Sequence, residues 1–402
     1  MRPPASLWWS TLPGPVTPRA PLRGHRDVDV AIVGGGYSGL WTARELVRRD
    51  PSLRVAVLEK SVCGFGASGR NGGWASALFP LSDETVAARF GEESSAHLRH
   101  VLNDAVAALG EAAAADGIDA HYQRGGTLAF ARSELQARRL RAEVDAARER
   151  GVAEDDLAWL EPDAARERGT PSRVHGATYT PHCARIHPAR LARGLSDVLE
   201  RLGVEVYEQT PVTRVVARRG RTEVVTVAGS VHAPVVVRAT EGFTPTLPGS
   251  RREVIPLYSL MIATAPLPAP FWEEAGFGAG ETFTDGRHLL IYGQRTADGR
   301  FAFGGRGSPY HFASTVEERF DSDARVFAML EATLRDLFPS LDADVTHRWG
   351  GPLAMTRDRC PSVDFDPATG LAHLGGYTGD GVVLSYVSAN ALADLIVDPD
   401  AD

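Results

Sequence analysis

The run Gly34-Gly35-Gly36-Tyr37-Ser38-Gly39 leaves little freedom in what the first sixty residues can fold into. It follows the short apolar stretch 29–33, Asp-Val-Ala-Ile-Val, which reads as a buried strand. It opens a segment that places Leu40, Ala43, Leu46 and Val47 on one helix face. Asp50-Pro51 ends that helix, because the residue before proline resists the α region. Residues 54–59 then read as a second buried strand, with Glu59 at its end, 20 residues past Gly39. In this G-x-G-x-x-G arrangement Gly34 permits the tight turn, Gly36 lets a pyrophosphate approach the backbone, and Gly39 lets helix and strand pack closely. The first amides of the helix, at Tyr37 and Ser38, and its positive dipole end face the phosphates. A carboxylate at Glu59 accepts from ribose hydroxyls and repels a 2′-phosphate, with Lys60 at the same end. Strand, turn, helix, strand and acid in register predict a dinucleotide-binding βαβ unit. The fingerprint alone does not separate FAD from NAD.

Two further glycine-rich stretches bear on that choice. A nicotinamide-cofactor unit normally continues into a helix after Glu59, but residues 66–73 hold four glycines in eight positions. Such a loop runs close along an extended cofactor and exposes amides and hydroxyls at Ser68, Arg70, Asn71, Gly72 and Gly73, with Trp74 placed to wall a pocket. Near the other end, Gly375-Gly376-Tyr377-Thr378-Gly379-Asp380-Gly381 opens a final helix at Val382. A glycine run at a helix start presents backbone donors and a positive end. At a flavin N1/O2 edge it would stabilise reduced flavin, each charge-assisted bond contributing roughly 1.5–3 kcal/mol. Asp380 also suits an ordinary helix cap.

The remainder of the chain is expected to supply a second region. Residues 1–26 read as an extended arm packing through Leu7, Trp8 and Trp9. Residues 93–116, 133–151, 191–202 and 326–338 have helical character. Residues 204–207 and 235–239 read as strands, 212–217 with 223–227 as a small hairpin, and 255–310 as an antiparallel sheet. At 402 residues the chain is long enough for two interlocked domains. The net charge of -8 argues against a general nucleic-acid binder. Cys63, Cys183 and Cys360 form no CxxC pair, so neither a disulfide framework nor a metal site is expected, and a reducing cytoplasm fits. No segment has the pattern of a signal peptide or a membrane span.

The combined motifs resemble the D-amino-acid-oxidase-like family of FAD enzymes, with glycine and sarcosine oxidases among them. They are most similar to its γ-glutamylputrescine-oxidase-like branch, through Ser68-Gly69-Arg70-Asn71-Gly72-Gly73 and the Leu7-Trp8-Trp9 arm. His187-Pro188, the Ala239-Thr240-Glu241-Gly242 segment, Trp349-Gly350-Gly351-Pro352 and Thr356-x-Asp358-x-x-Pro361 extend the likeness over most of the chain. The resemblance implies an α/β fold: a doubly wound, Rossmann-like FAD-binding domain from residues 27–84, 181–247 and 346–402. A mixed or antiparallel α+β substrate domain would come from residues 85–180 and 248–345. It places the Val212 backbone at the adenine and Thr240 beside the cofactor.

The departures from the family pattern are informative. Glycine-oxidase-like members hold the substrate carboxylate with an arginine where this chain has Leu353, and leucine supplies no cationic fork. This favours an amine over an α-amino acid, unless Arg306 takes over. The oxygen-activating lysine of sarcosine-oxidase-like members matches Ala302, and Lys60 is the only lysine in the chain. The position of the flavin-anchoring cysteine falls near Met355, so non-covalent FAD is expected, with Cys360 a small buried residue. Tyr258, Tyr292 and Tyr310 could line an amine cage, and His187 is read as structural.

The expected function is oxidation of an amine C–N bond by hydride transfer to flavin N5. The resulting imine hydrolyses to a carbonyl, with oxygen as acceptor and hydrogen peroxide as product. The substrate is a small-molecule amine. Alternatives are a dehydrogenase with a non-oxygen acceptor, a tailoring enzyme for a secondary-metabolite amine, and a redox-silent flavin-fold binding protein.

Overall fold

The computed structural model describes residues 6–218, 220–306 and 310–398. The first five residues of the expected arm and the last four of the C-terminal segment lie outside these.

A six-stranded sheet runs in the order Ser362–Asp366, Leu371–Gly375, Val235–Arg238, Val30–Val33, Val55–Leu58, Glu205–Tyr207. Its strands are parallel except the first, which pairs antiparallel with Leu371–Gly375. The period-2 alternation of a strand assigns its two faces. Val30, Ile32, Val55 and Val57 turn to the helices Tyr37–Arg49, Pro188–Arg201 and Gly381–Val397. Ala31, Val33, Ala56 and Leu58 turn to a four-stranded sheet of Gly24–Asp27, Gly229–Ala233, Arg221–Thr226 and Val212–Arg218. The hairpin expected at 212–227 is therefore part of a larger layer. It covers the face of the central sheet opposite the helices.

A second sheet has eight strands, in the order Val345–Met355, Ile255–Thr264, Phe301–Gly305, Ile291–Arg295, Thr282–Asp285, Thr127–Phe130, Ala177–Thr180, Ala158–Leu160. It is mixed, because Thr282–Asp285 and Thr127–Phe130 pair in parallel. Its core is aromatic: Phe130, Phe277, Phe283, Phe301, Phe303 and Phe338 pack under the helix Ala324–Leu337. The chain thus has a mixed α/β fold with a Rossmann-like sheet beside a predominantly antiparallel one. Val345–Met355 hydrogen-bonds along Ile255–Thr264 in the larger sheet, although the expected boundary at 346 groups it with the cofactor-binding segments.

The arm departs from its expected extended form. Leu7–Ser10 is a short helix capped by the Ser6 side chain, which accepts from Trp9 N, and Gly24–Asp27 is a strand. Burying two adjacent indoles requires both to face inward, which a helical turn permits and alternating extended backbone does not. Leu7, Trp8 and Trp9 are all buried. Among the described residues, no helix is long and apolar enough to cross a membrane.

Candidate functional site

The glycine turn 34–39 is locked to its surroundings by contacts that tolerate no side chain. A Cβ on Gly39 would lie 2.0 Å from the Gly34 carbonyl oxygen and 3.1 Å from Ile32 Cγ2. One on Gly34, at φ +116°, would lie 2.4 Å from the Ala239 oxygen. The turn therefore sits against the end of Val235–Arg238, where Thr240 Oγ1 hydrogen-bonds Thr244 Oγ1 at 2.9 Å. Glu59 closes the other side: Oε2 accepts from Gly35 N and Oε1 from Ser61 N, both at 2.8 Å. Each oxygen keeps a lone pair for a further donor. Thr210 N donates to the Glu59 carbonyl at 2.8 Å, which brings the start of Val212–Arg218 to the same end.

The loop 64–74 crosses the helix start. Tyr37 N donates to Ser68 Oγ at 2.8 Å, and the buried Tyr37 hydroxyl donates to the Pro188 carbonyl. Two indoles fix the loop's carbonyls: Trp8 Nε1 donates to Asn71 O at 2.8 Å, and Trp349 Nε1 to Arg70 O at 2.9 Å. Gln294 Nε2 donates to Gly72 O at 2.7 Å and Gly73 O at 3.1 Å, while Asn71 Oδ1 accepts from Gly73 N. Arg70 pairs with Asp321 at 2.6 Å and donates to Gly350 O at 2.9 Å.

The C-terminal loop reaches the same place. Ser38 Oγ and the Tyr377 hydroxyl lie 2.9 Å apart, joining the first helix to the loop that opens Gly381–Val397. The two helices pack together, with Trp41 and Tyr386 edge to face at 4.9 Å. Glu241 staples the arrangement: Oε2 accepts from Gly376 N at 2.8 Å and Oε1 from Ala354 N at 3.3 Å. Thr378 N donates to Ala354 O at 3.0 Å. Asp380 makes no side-chain cap bond to its helix, so the ordinary capping role does not hold.

Glu59, Glu241, Asp380 and Tyr292 each retain accessible surface, yet burial raises the pKa of all four. Burial pushes Glu241 up to about 7, against the backbone N–H groups of Gly376, Ala354 and Tyr377. It pushes Asp380 up to about 6, against the Arg306 charge. Buried donors without a partner among the described residues occur on or beside the same segments: Ser61 Oγ, Arg70 Nη2, Trp74 Nε1, and Trp9 Nε1 against Gly69. An elongated ligand bearing ribose, phosphate and ring polar atoms matches this set, so the residues present fit FAD.

Of the three tyrosines, Tyr292 stands against the loop 72–74. A Cβ on Gly72 would meet its ring at 2.7 Å, Trp74 stands edge to face with it at 6.2 Å, and its hydroxyl is 2.7 Å from Ser259 Oγ. Tyr258 is instead part of the larger sheet's core, its hydroxyl bonded to the Glu317 backbone. Its polar end is already satisfied by main chain. Tyr310 is exposed, and Lys60 points to solvent. Cys360 is half-exposed rather than buried, near Arg89, in the turn after Met355. His187 caps the helix Pro188–Arg201, its side chain accepting from Arg190 N. Arg306 Nη2 donates to Thr378 O at 2.8 Å, and both this nitrogen and Leu353 Cδ2 flank Gly379, at 3.0 and 3.9 Å from a Cβ built there. Sequence reading missed Gln294 and the carbonyl-anchoring roles of Trp8 and Trp349. Nothing in their local sequence signals partners that lie 63 to 279 residues away.

Comparison with known proteins agrees with this geometry. Residues 29–395 match the family described as "DAO: FAD dependent oxidoreductase". The chain is 29% identical over 98% of its length to a probable oxidoreductase OrdL of Rhizobium meliloti, covering 88% of that protein. It is 28% identical over 92% of its length to the gamma-glutamylputrescine oxidoreductase of Escherichia coli, covering 83% of it. Its fold is similar to that of glycine oxidase from Geobacillus kaustophilus, with a TM-score of 0.78 at 23% identity, over 92% of this chain and 95% of that one. The chain belongs to the DAO family of FAD-dependent oxidoreductases.

Proposed function

We propose that this chain oxidises the C–N bond of a small amine. The observation that carries the reading is the joining of three glycine-rich segments through Ser68, Ser38 with Tyr377, and Glu241 with Gly376. The resemblance adds Leu353 where glycine-oxidase-like relatives hold a carboxylate. Glu59 and Ser61 would hold the ribose end of FAD. The turn 34–39 would hold the pyrophosphate, the loop 68–74 the length of the cofactor, and Gly376–Val382 the flavin edge. Binding is proposed to be non-covalent. When bound, FAD supplies the hydride acceptor, leaving an imine that water hydrolyses to a carbonyl and an amine, with oxygen as final acceptor and hydrogen peroxide as product.

The chain's own part is orientation and electrostatics. Tyr292, fixed by Ser259, and Trp74 present aromatic faces suited to an amine. Asp380 offers negative charge and Arg306 positive charge at the same loop. If the substrate also carries an anionic group, Arg306 is the residue to bind it. A dehydrogenase with a non-oxygen acceptor is the second reading. It is favoured by Ala302, which lies buried among Trp8, Met261 and Trp349 at the position where sarcosine-oxidase-like relatives are expected to carry a lysine.

The test is anaerobic bleaching of the FAD-loaded protein by a panel of amines and α-amino acids, followed by admission of air. Amines are expected to bleach it, and air to restore colour with peroxide. A strong preference for α-amino acids overturns the argument from Leu353. Fast dye reduction with slow peroxide formation selects the dehydrogenase. Absence of bleaching by every reductant points to a binding protein.

A further inference from the structure

Behind the loop 71–73 lies a cavity of about 310 Å³ that the proposed reaction does not use. Trp8 and Gln294 line it, and these same side chains hold the carbonyls of Asn71, Gly72 and Gly73. Its polar wall contains Arg185, Arg190, His121 and His187. Arg185 is half-buried, and the partners of its guanidinium are neutral: Nε and Nη2 donate to Gln123 Oε1 at 3.0 and 2.5 Å, and Nη1 to Arg295 O at 2.7 Å. Arg190 Nη1 reaches the exposed Asp119 at 2.7 Å, but its buried Nε has no partner among the described residues.

The imidazoles add no competing negative charge. His187 accepts from Arg190 N through Nδ1, and its Nε2 is 3.0 Å from Thr11 Oγ1. Burial, with His121 and Arg190 nearby, pushes it down to about 3, and burial with Arg190 also lowers His121. The helix Pro188–Arg201 begins at this wall and adds its positive end. One carboxylate lines the cavity, that of Asp298, and it is taken up by Arg300 at 2.7 Å and Thr296 at 2.6 Å. The opposite wall is apolar, formed by Leu7, Trp8, Ile186 and Ala297.

We infer that this cavity is a binding site for a small organic oxyanion, either a carboxylate or a phosphate ester, whose head lies between Arg185 and Arg190 and whose body lies on the arm. A half-buried guanidinium without a carboxylate partner favours an anion strongly, because a charge-assisted bond there replaces no existing ion pair. The occupant reaches the cofactor loop through Trp8, Gln294 and Ile186, whose N–H donates to Gly73 O at 2.7 Å, so binding is coupled to the flavin without entering the reaction.

The test is calorimetric titration of the FAD-loaded protein at constant ionic strength with inorganic phosphate, phenyl phosphate and succinate, with the flavin spectrum recorded alongside. Saturable binding of at least one of these is expected, with a small shift of the flavin bands. Phosphates binding where succinate does not, or the reverse, identifies the head group. R190Q, which also breaks the ion pair with the exposed Asp119, is expected to weaken binding by about tenfold, and R185Q/R190Q to abolish it. D298N is expected to tighten it, and R306Q to leave it unchanged. Absence of saturable heat with all three probes overturns the site. So does binding that survives R185Q/R190Q in protein that still holds FAD, or binding that R306Q removes.

Discussion

Replacing Glu241 by glutamine tests whether the staple between the strand-end motif and the C-terminal loop is ionised inside the protein. Both Glu241 oxygens face backbone N–H groups, at 2.8 Å for Gly376 and 3.3 Å for Ala354. A glutamine supplies one acceptor and sets an N–H₂ against the other donor, which costs about 1–3 kcal/mol at every pH. The wild-type carboxyl adds a pH-dependent part. Its pKa rises from an ordinary 4.5 to about 7 through burial. Between those values the unfolded chain releases the proton while the folded chain retains it, so stability falls as pH rises through this window. The separation of the two values sets the whole fall at about 3 kcal/mol. Glu59 and Asp380, whose pKa values are also raised, act in the same direction but are present in both proteins and cancel in the difference. The assay is the thermal midpoint of FAD-free wild type and E241Q from pH 4.5 to 8. E241Q is expected to be the less stable at pH 4.5, with the gap narrowing by up to about 3 kcal/mol by pH 8. A gap that does not change with pH refutes the buried, titrating carboxyl.

Three further substitutions probe the cradle. Gly39→Ala places a methyl 2.0 Å from the Gly34 oxygen, so helix and strand must separate at a cost of about 1–3 kcal/mol. The purified variant is expected to have a flavin-to-protein absorbance ratio well below wild type, and full FAD retention would contradict the close-packing argument. Trp8→Phe keeps the arm's apolar contact but leaves the Asn71 carbonyl without its donor. Release of FAD, followed by its fluorescence, is expected to quicken by about tenfold, and an unchanged rate would show that the indole serves packing alone. Arg306→Gln is expected to raise KM by about tenfold for amines carrying an anionic group, with little change in kcat. An equal rise for neutral amines would assign Arg306 to supporting Thr378.

What could be read from the sequence followed the range of the interactions involved. The strand at 29–33, its glycine turn, the helix and Glu59 are specified by neighbours within about thirty positions, and the structure places them as a parallel pair with the Glu59 oxygens on Gly35 and Ser61. The strands Ser362–Asp366 and Leu371–Gly375 went unread, because the first is a half-exposed edge whose apolar residues are few. The helical arm went unread for a related reason. Leu7-Trp8-Trp9 is too short to show a period, and its conformation is decided by Gly64, Gly69 and Trp349, which lie far along the chain.

The substrate side follows the same logic. From sequence, Leu353 and Arg306 are 47 positions apart and look unrelated. In the fold they border one glycine, because Phe301–Gly305 and Val345–Met355 flank Ile255–Thr264 from opposite sides. A cation missing from one strand is thereby present at the end of another, directed at the same loop carbonyl. A guanidinium arriving from a different strand presents its fork along a different line. The anion it would hold need not be the carboxylate on the carbon that is oxidised. On this geometry the proposed amine carries any acidic group at a distance from the reacting C–N bond, and α-amino acids should bleach the flavin more slowly than amines whose carboxyl lies further along the chain. Anaerobic reduction rates for an α-amino acid and its ω-amino isomer decide the point. A faster rate with the α-isomer means that Arg306 has taken over the carboxylate site unchanged.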